Sequence, residues 1–133
     1  LEAGHLEGFG VALTKHLMEI RGIGIINVAY LYGAVCVRDK KSIDLVVQLE
    51  VWDDHKFYDR VGLEEKCEDY LGVKVPFNIL PVKPGRDVVL LLETIALNHR
   101  LKLMGLNSAK EFQTKLLHTL TEKNKKHVDR VHR

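Results

Sequence analysis

The segment Val88–Met104 is the strongest constraint on how this chain can fold. It opens on Val88-Val89-Leu90-Leu91-Leu92, interrupted only by Glu93 and Thr94 before Ile95, Ala96 and Leu97. A helix over it is therefore apolar nearly all round in its first half, a pattern that predicts a buried central helix. Asp87 ahead of it is a good N-cap, and Gly105 behind it is a stop.

The rest of the chain supplies strands and further helices. Ile43–Trp52 places Ile43, Leu45, Val47, Leu49 and Val51 on one face and Asp44, Gln48 and Glu50 on the other, as a half-buried strand requires. Ala34–Val37 reads as a strand leading into it through a turn at Asp39–Ser42. Val73, Val75, Phe77 and Ile79 alternate again, so Val73–Val82 is predicted as a strand. Pro76 and Pro81 place it at an edge or break it, since neither can donate to a ladder. Leu13, Leu17 and Ile20 recur at helical spacing and predict a helix over Val11–Arg21. Leu63, Cys67, Tyr70 and Leu71 do the same up to Gly72. Ser108-Ala109-Lys110-Glu111 is a capping box that opens a last helix, with Phe112, Leu116, Leu117 and Leu120 on its apolar face.

Ile23–Gly33 reads two ways. Its β-branched residues suit a strand, and Asn27 could instead cap a short helix over Val28–Tyr32 ending at Gly33, the reading favoured here. Residues 1–10 read as a loop or remnant, 11–122 as the folded part, and 123–133 as a polar tail. Strands alternating with helices argue for an α/β fold, a mixed sheet with packed helices and a C-terminal helical pair. At 133 residues the chain fits one domain or a large part of one, long enough for a real core.

Composition narrows the function classes. A net charge of +2 leaves no nucleic-acid footprint. No apolar run approaches the roughly 18 residues of a membrane span, and no signal peptide is visible. Cys36 and Cys67 form no CxxC pair and read as reduced core or boundary residues of a cytoplasmic protein. The chain begins at Leu1, which suggests a fragment or a processed product.

Two stretches carry candidate chemistry. In Met18–Asn27 a carboxylate, Glu19, and a guanidinium, Arg21, stand beside Gly22 and Gly24. An acid and a base next to a bend that only glycine tolerates suit a metal–phosphate site, and equally a surface ion pair. In Pro81–Arg86 the cations Lys83 and Arg86 flank a Pro84-Gly85 turn at the start of the long helix, where free N–H groups favour anions. Asp87 would compete for those same groups. Trp52-Asp53-Asp54-His55 reads as an exposed polar turn, not a metal site.

The stretch MEIRGIGIIN resembles the signature segment of the bifunctional HPr kinase/phosphorylase family. The resemblance continues through Phe57–Glu65 (FYDRVGLEE), Pro81–Arg86 (PVKPGR) and Asn98–Asn107 (NHRLKLMGLN), four ordered blocks over most of the chain. That family phosphorylates a serine on HPr, the phosphocarrier of the bacterial sugar phosphotransferase system, and removes the phosphate by phosphorolysis. The resemblance implies a P-loop-containing catalytic domain similar to that of phosphoenolpyruvate carboxykinase, assembled as a hexamer. It implies Glu19 as a ligand of the Mg²⁺ that accompanies ATP, with Arg21, Gly22 and Gly24 in the segment used by both reactions. It implies Arg60 as the catalytic arginine, and Lys83 and Arg86 in the loop tied to phosphorolysis.

The family's G-x-x-x-x-G-K-[ST] loop, its upstream histidine and its paired aspartates are absent from these residues. The chain by itself is therefore expected to be inactive, as the C-terminal part of the catalytic domain. The alternative is a non-catalytic oligomeric regulatory or HPr-binding module.

Overall fold

The computed structural model describes residues 4–131. The chain divides into two units, Leu1–Val46 with Cys67–Pro76, and Val47–Lys66 with Phe77–Arg133.

The first unit opens on β1 (Glu7–Phe9), so part of the segment expected as a loop enters a sheet. It pairs antiparallel with β4 (Lys40–Ser42), from Glu7↔Ser42 to Phe9↔Lys40. The helix expected over Val11–Arg21 does not form. Only Ala12–Thr14 makes a 3-10 turn, His16 takes a positive φ of 63°, and Leu17–Ile20 is strand β2. A helix this short is marginal by itself, whereas β2 pairs across one turn with the isoleucine-bearing β3 (Gly24–Asn27). The register runs Leu17↔Asn27, Met18↔Ile26, Glu19↔Ile25, Ile20↔Gly24. Ile23 N–H donates to Ile20 O at 3.0 Å across this turn, and Gly22 supplies a φ of 86°.

Asn27 ends β3 and caps α1 (Val28–Tyr32), its Oδ1 accepting the Tyr30 N–H at 3.1 Å. Both readings of Ile23–Gly33 therefore hold, one after the other. Ala34–Cys36, expected as part of a strand, closes a 3-10 turn after Gly33, and the long strand expected over Ile43–Trp52 is confined to β5 (Val46–Val51). The helix expected over Leu63–Leu71 is replaced by β6 (Lys66–Tyr70), which turns through Leu71-Gly72 into β7 (Val73–Val82). Both turn residues have positive φ, 54° and 83°, as in the hairpin turn whose twist matches that of its strands. Turn chemistry outweighed a helical spacing of only a few residues.

The second unit holds most of β5, the end of β7, and two helices. Trp52 N–H donates to Val82 O at 2.9 Å where β5 and β7 both end, so these strands run parallel. With the antiparallel β6 the order is β5-β7-β6, a mixed sheet. β7 is thus central and unbroken, not the edge or broken strand its prolines predicted. Its neighbours are short, β6 joining its start and β5 reaching its end, so neither must bond all ten residues.

Helix α2 (Val88–Leu103) is capped by Asp87, whose Oδ1 accepts the Leu90 N–H at 3.0 Å. Helix α3 (Ser108–Val131) extends through the polar segment. Its N-cap is Asn107, which accepts the Lys110 N–H at 3.1 Å, and Ser108 is already helical.

The buried apolar core among the described residues consists of Val75, Phe77 and Leu80, all on β7. The central burial expected of α2 is not seen: Val89 is 76% exposed and Leu90 58%. On β5 the apolar Leu49 and Val51 are open, while Glu50 and Trp52, on the opposite face, are half-buried. Cys36 and Cys67 are free and exposed, so neither is a core residue. The chain exposes 11871 Å². A folded monomer of this mass exposes roughly 7,000 Å². The residues are apolar enough for a core, and most of that apolar surface is uncovered.

Candidate functional site

The first group of predicted site residues lies on the β2–β3 hairpin. β2 places Glu19 opposite Ile25, and the turn that follows places Arg21 Nε 3.9 Å from Glu19 Oε1. Both side chains are largely exposed, at 97% for Arg21 and 70% for Glu19. Such a pair is worth little as a structural contact and leaves the carboxylate accessible. A Cβ added at Gly22 or Gly24 would meet no atom within 4 Å. Their φ values of 86° and 113°, not crowding, are what glycine serves here.

Beneath the hairpin, Lys15 pairs with Asp39 at 2.7 Å, with His16 Nε2 3.7 Å from the same oxygen. The Lys15 ammonium holds the Asp39 carboxyl below the usual range.

Among the described residues no cluster of three His, Cys, Asp or Glu side chains could hold a metal ion. A lone exposed carboxylate nevertheless fits Mg²⁺ in its usual mode, in which one or two protein carboxylates are joined by phosphate oxygens and water. Glu19 is the residue that would contribute it.

The second group lies in the other unit, on the turns that follow β5 and β7. After β5, Asp53 Oδ1 accepts the His55 N–H at 2.9 Å, and the Trp52 indole N–H donates to Asp54 Oδ1 at 2.9 Å. The two aspartates thus serve the turn. The Tyr58 hydroxyl accepts the Asp53 N–H at 2.9 Å, and its ring stands 4.9 Å from that of Trp52. Asp59 then takes the N–H groups of Val61 at 2.9 Å and Gly62 at 3.1 Å. These backbone donors, Gly62 first, pull its pKa down. Arg60 sits inside this loop, exposed, with no side-chain hydrogen bond or ion pair among the described residues.

After β7, Pro84-Gly85 makes the expected turn, closed by Arg86 N–H to Lys83 O at 3.1 Å. The Arg86 guanidinium also donates to Pro81 O. Lys83 Nζ lies 4.2 Å and Arg86 Cζ 5.3 Å from the centre of the Trp52 ring. Asp87 Oδ1 occupies one of the free N–H groups at the α2 N-terminus, as its sequence position foretold.

The structure therefore brings Glu19 and Arg21 together on one hairpin, and Lys83 and Arg86 together on one ring. Sequence reasoning passed over Trp52, Tyr58 and Asp59, the residues that hold the second group. Only Asp59 left a readable signal, an aspartate three residues before a glycine, the spacing at which a carboxylate closes its own turn.

The family model described as HPr Serine kinase C-terminal domain matches residues 1–116. The chain belongs to the HPr serine kinase C-terminal domain family. It is 50% identical over 112 residues to an HPr kinase/phosphorylase from Caldanaerobacter subterraneus subsp. tengcongensis, covering 84% of this chain and 37% of that protein. It is 46% identical over 121 residues to one from Exiguobacterium sibiricum, covering 91% of this chain and 39% of the relative. The structure resembles the HPr(Ser) kinase/phosphatase from Coxiella burnetii with a TM-score of 0.70 and 33% identity, over 84% of this chain and 68% of the other. The chain thus spans well under half the length of these curated relatives, and its mixed α/β fold is that of the C-terminal domain of the family. Among the described residues no helix is long and apolar enough to cross a membrane.

Proposed function

We propose that this segment supplies the C-terminal part of the catalytic domain of a bifunctional, cytoplasmic HPr kinase/phosphorylase. The kinase reaction transfers the γ-phosphoryl group of ATP to a serine hydroxyl of an HPr phosphocarrier. In the reverse sense inorganic phosphate attacks the phosphoserine phosphorus, the serine oxygen leaves, and pyrophosphate is the second product. The observation that carries this reading is the pairing of Lys83 and Arg86 on one turn, cationic and without a carboxylate partner among the described residues, in a chain of this family.

The roles are those the family resemblance implies, and the charge and exposure of these side chains suit them. Glu19 would hold Mg²⁺, which when bound neutralises charge on the phosphates of ATP. Arg21, 3.9 Å away, would place a second positive charge beside the same phosphates. Arg60, held out on the Asp59 turn with its guanidinium unpaired, would stabilise charge on the transferring phosphoryl group. Lys83 and Arg86 would bind the attacking inorganic phosphate. ATP itself requires a G-x-x-x-x-G-K-[ST] loop, which is not among these 133 residues. The open apolar surface suits a homo-oligomer, for which the family suggests a hexamer.

The test is to incubate the complete gene product with HPr, ATP and Mg²⁺, then with inorganic phosphate. Phosphoserine formation followed by pyrophosphate release is expected. Binding of HPr without any phosphoryl transfer would replace this reading with the non-catalytic HPr-binding module.

A further inference from the structure

The two cations of the Lys83–Arg86 turn share one neighbour that neither family nor sequence pattern pointed to. Lys83 Nζ is 4.2 Å and Arg86 Cζ 5.3 Å from the centre of the Trp52 ring, both within the reach at which a π face attracts a cation. We infer that Trp52 is the positioning residue of this turn, holding the Lys83 ammonium and the Arg86 guanidinium in place so that inorganic phosphate meets both already set. This rests on the phosphorolytic role proposed above for the same turn.

Three features of the geometry support it. The first is that Trp52 is itself fixed. Its backbone N–H donates to Val82 O at 2.9 Å, its indole N–H donates to Asp54 at 2.9 Å, and its ring rests against Tyr58. The ring is thus tied to the strand end from which the cationic turn departs.

The second feature is the choice of a ring over an acid. Two cations side by side repel each other and need a negative partner. A carboxylate in the ring's place would neutralise them and would repel an incoming anion. The face of an indole attracts cations through its quadrupole while carrying no net charge, so the full positive charge remains available to phosphate.

The third is a contrast between the cations of the two turns. Lys56, 5.9 Å from the centre of the Tyr58 ring, is paired with Glu50 at 2.7 Å, which raises its pKa. Lys83 and Arg86 have no such partner among the described residues. The lysine of the turn after β5 is neutralised, and the two cations of the turn after β7 are left uncompensated.

The experiment compares Trp52→Leu and Trp52→Phe with wild type in the complete gene product. Pyrophosphate formation gives KM for inorganic phosphate, and proton NMR gives the shift of the Lys83 ε-methylene. Loss of the ring should raise the phosphate KM roughly tenfold, as expected for two cation–π contacts at a solvated site, and by more than it changes kcat. Phenylalanine, which keeps a π face, should recover most of the loss. The Lys83 ε-methylene protons should be shifted upfield in wild type and relax toward their ordinary position in the leucine variant.

An unchanged phosphate KM in Trp52→Leu overturns the proposal. So does a fall in kcat with no change in KM that phenylalanine does not relieve, the mark of a structural role alone. If wild type forms no pyrophosphate, the phosphorolytic reading itself falls. The NMR shift still decides then: an upfield shift lost in Trp52→Leu supports Trp52 as the holder of the turn, and a shift that does not respond overturns it.

Discussion

The carboxylate of Asp59 lies 3.1 Å from the Gly62 N–H through each of its two oxygens. One of those oxygens also accepts the Val61 N–H at 2.9 Å. Arg60 is therefore carried on a loop whose two ends are tied by a side chain adjacent to it. Its own side chain stays free, and its backbone is fixed from next door.

Replacing Asp59 should consequently injure Arg60 without touching it. Asp59→Ala is expected to slow both phosphorylation and phosphorolysis by roughly tenfold to a hundredfold, the scale of a misplacement of about an ångström. Asp59→Asn, which can still accept one of the N–H groups, should lose less. Steady-state rates with HPr and with phosphoserine-HPr would measure this, and full activity in the alanine variant would disconnect the loop from catalysis.

The same bonds set a pH dependence. The folded pKa of Asp59 lies below its ordinary 3.8, because Gly62 and Val61 donate to the ionised form. The order this gives the loop is present above the ordinary value and is lost as pH falls through the lower folded one. The amide resonances of Val61 and Gly62 should thus hold steady from neutral pH down to about 4 and move only below it. Movement centred near pH 6 would assign the transition to another group.

Arg60→Ala should reduce both reactions by about 10²-fold or more while the melting temperature stays within a degree or two. Its side chain is exposed and partnerless, so folding has little to lose. Near-normal rates, read in the same two assays, would remove Arg60 from the site.

The β6–β7 turn offers a stabilising change. Leu71 has a φ of 54° and is 91% exposed, so a leucine there is strained and buries nothing. Leu71→Asn, the residue this hairpin turn prefers, should raise stability by about 0.5–1 kcal/mol. The shift would be read from the urea midpoint of the complete gene product.

The 133-residue chain produced by itself should bind an apolar dye such as ANS strongly and self-associate. An exposed area of 11871 Å², with Leu13, Tyr30, Val35 and Val89 all more than three-quarters open, leaves it no sufficient core. Fluorescence and sedimentation of the purified segment would measure this. A monomer that excludes the dye would contradict it.

What could be read in advance was local and chemical. Asn27 as a cap, α1 up to Gly33, the bounds of β7, the Pro84-Gly85 turn and Asp87 ahead of α2 all depend on one residue acting on its immediate backbone. Leu13, Leu17 and Ile20 misled because three apolar residues at helical spacing fit a short strand as well. Leu63–Leu71 misled because positive φ at Leu71 is invisible in a leucine. The burial of α2 was misjudged for a different reason. An apolar pattern states what a helix needs, and Val89 and Leu90 remain open because no described residue covers them. In the candidate site the cations were legible through resemblance, and Trp52 was not, since its part depends on two turns meeting that are thirty residues apart in sequence.

The hairpin of β2 and β3 carries one more implication, for how this chain can vary. Its register sets Glu19 opposite Ile25 and is fixed by the three residues between Ile20 and Gly24. A single insertion or deletion there would turn every following side chain to the other face. Outside Glu19 and the positive-φ glycines Gly22 and Gly24, homologous sequences can therefore exchange residue types along Leu17–Asn27 but not change its length, and an aligned gap inside it would mark a protein that has given up the register setting Glu19 opposite Ile25.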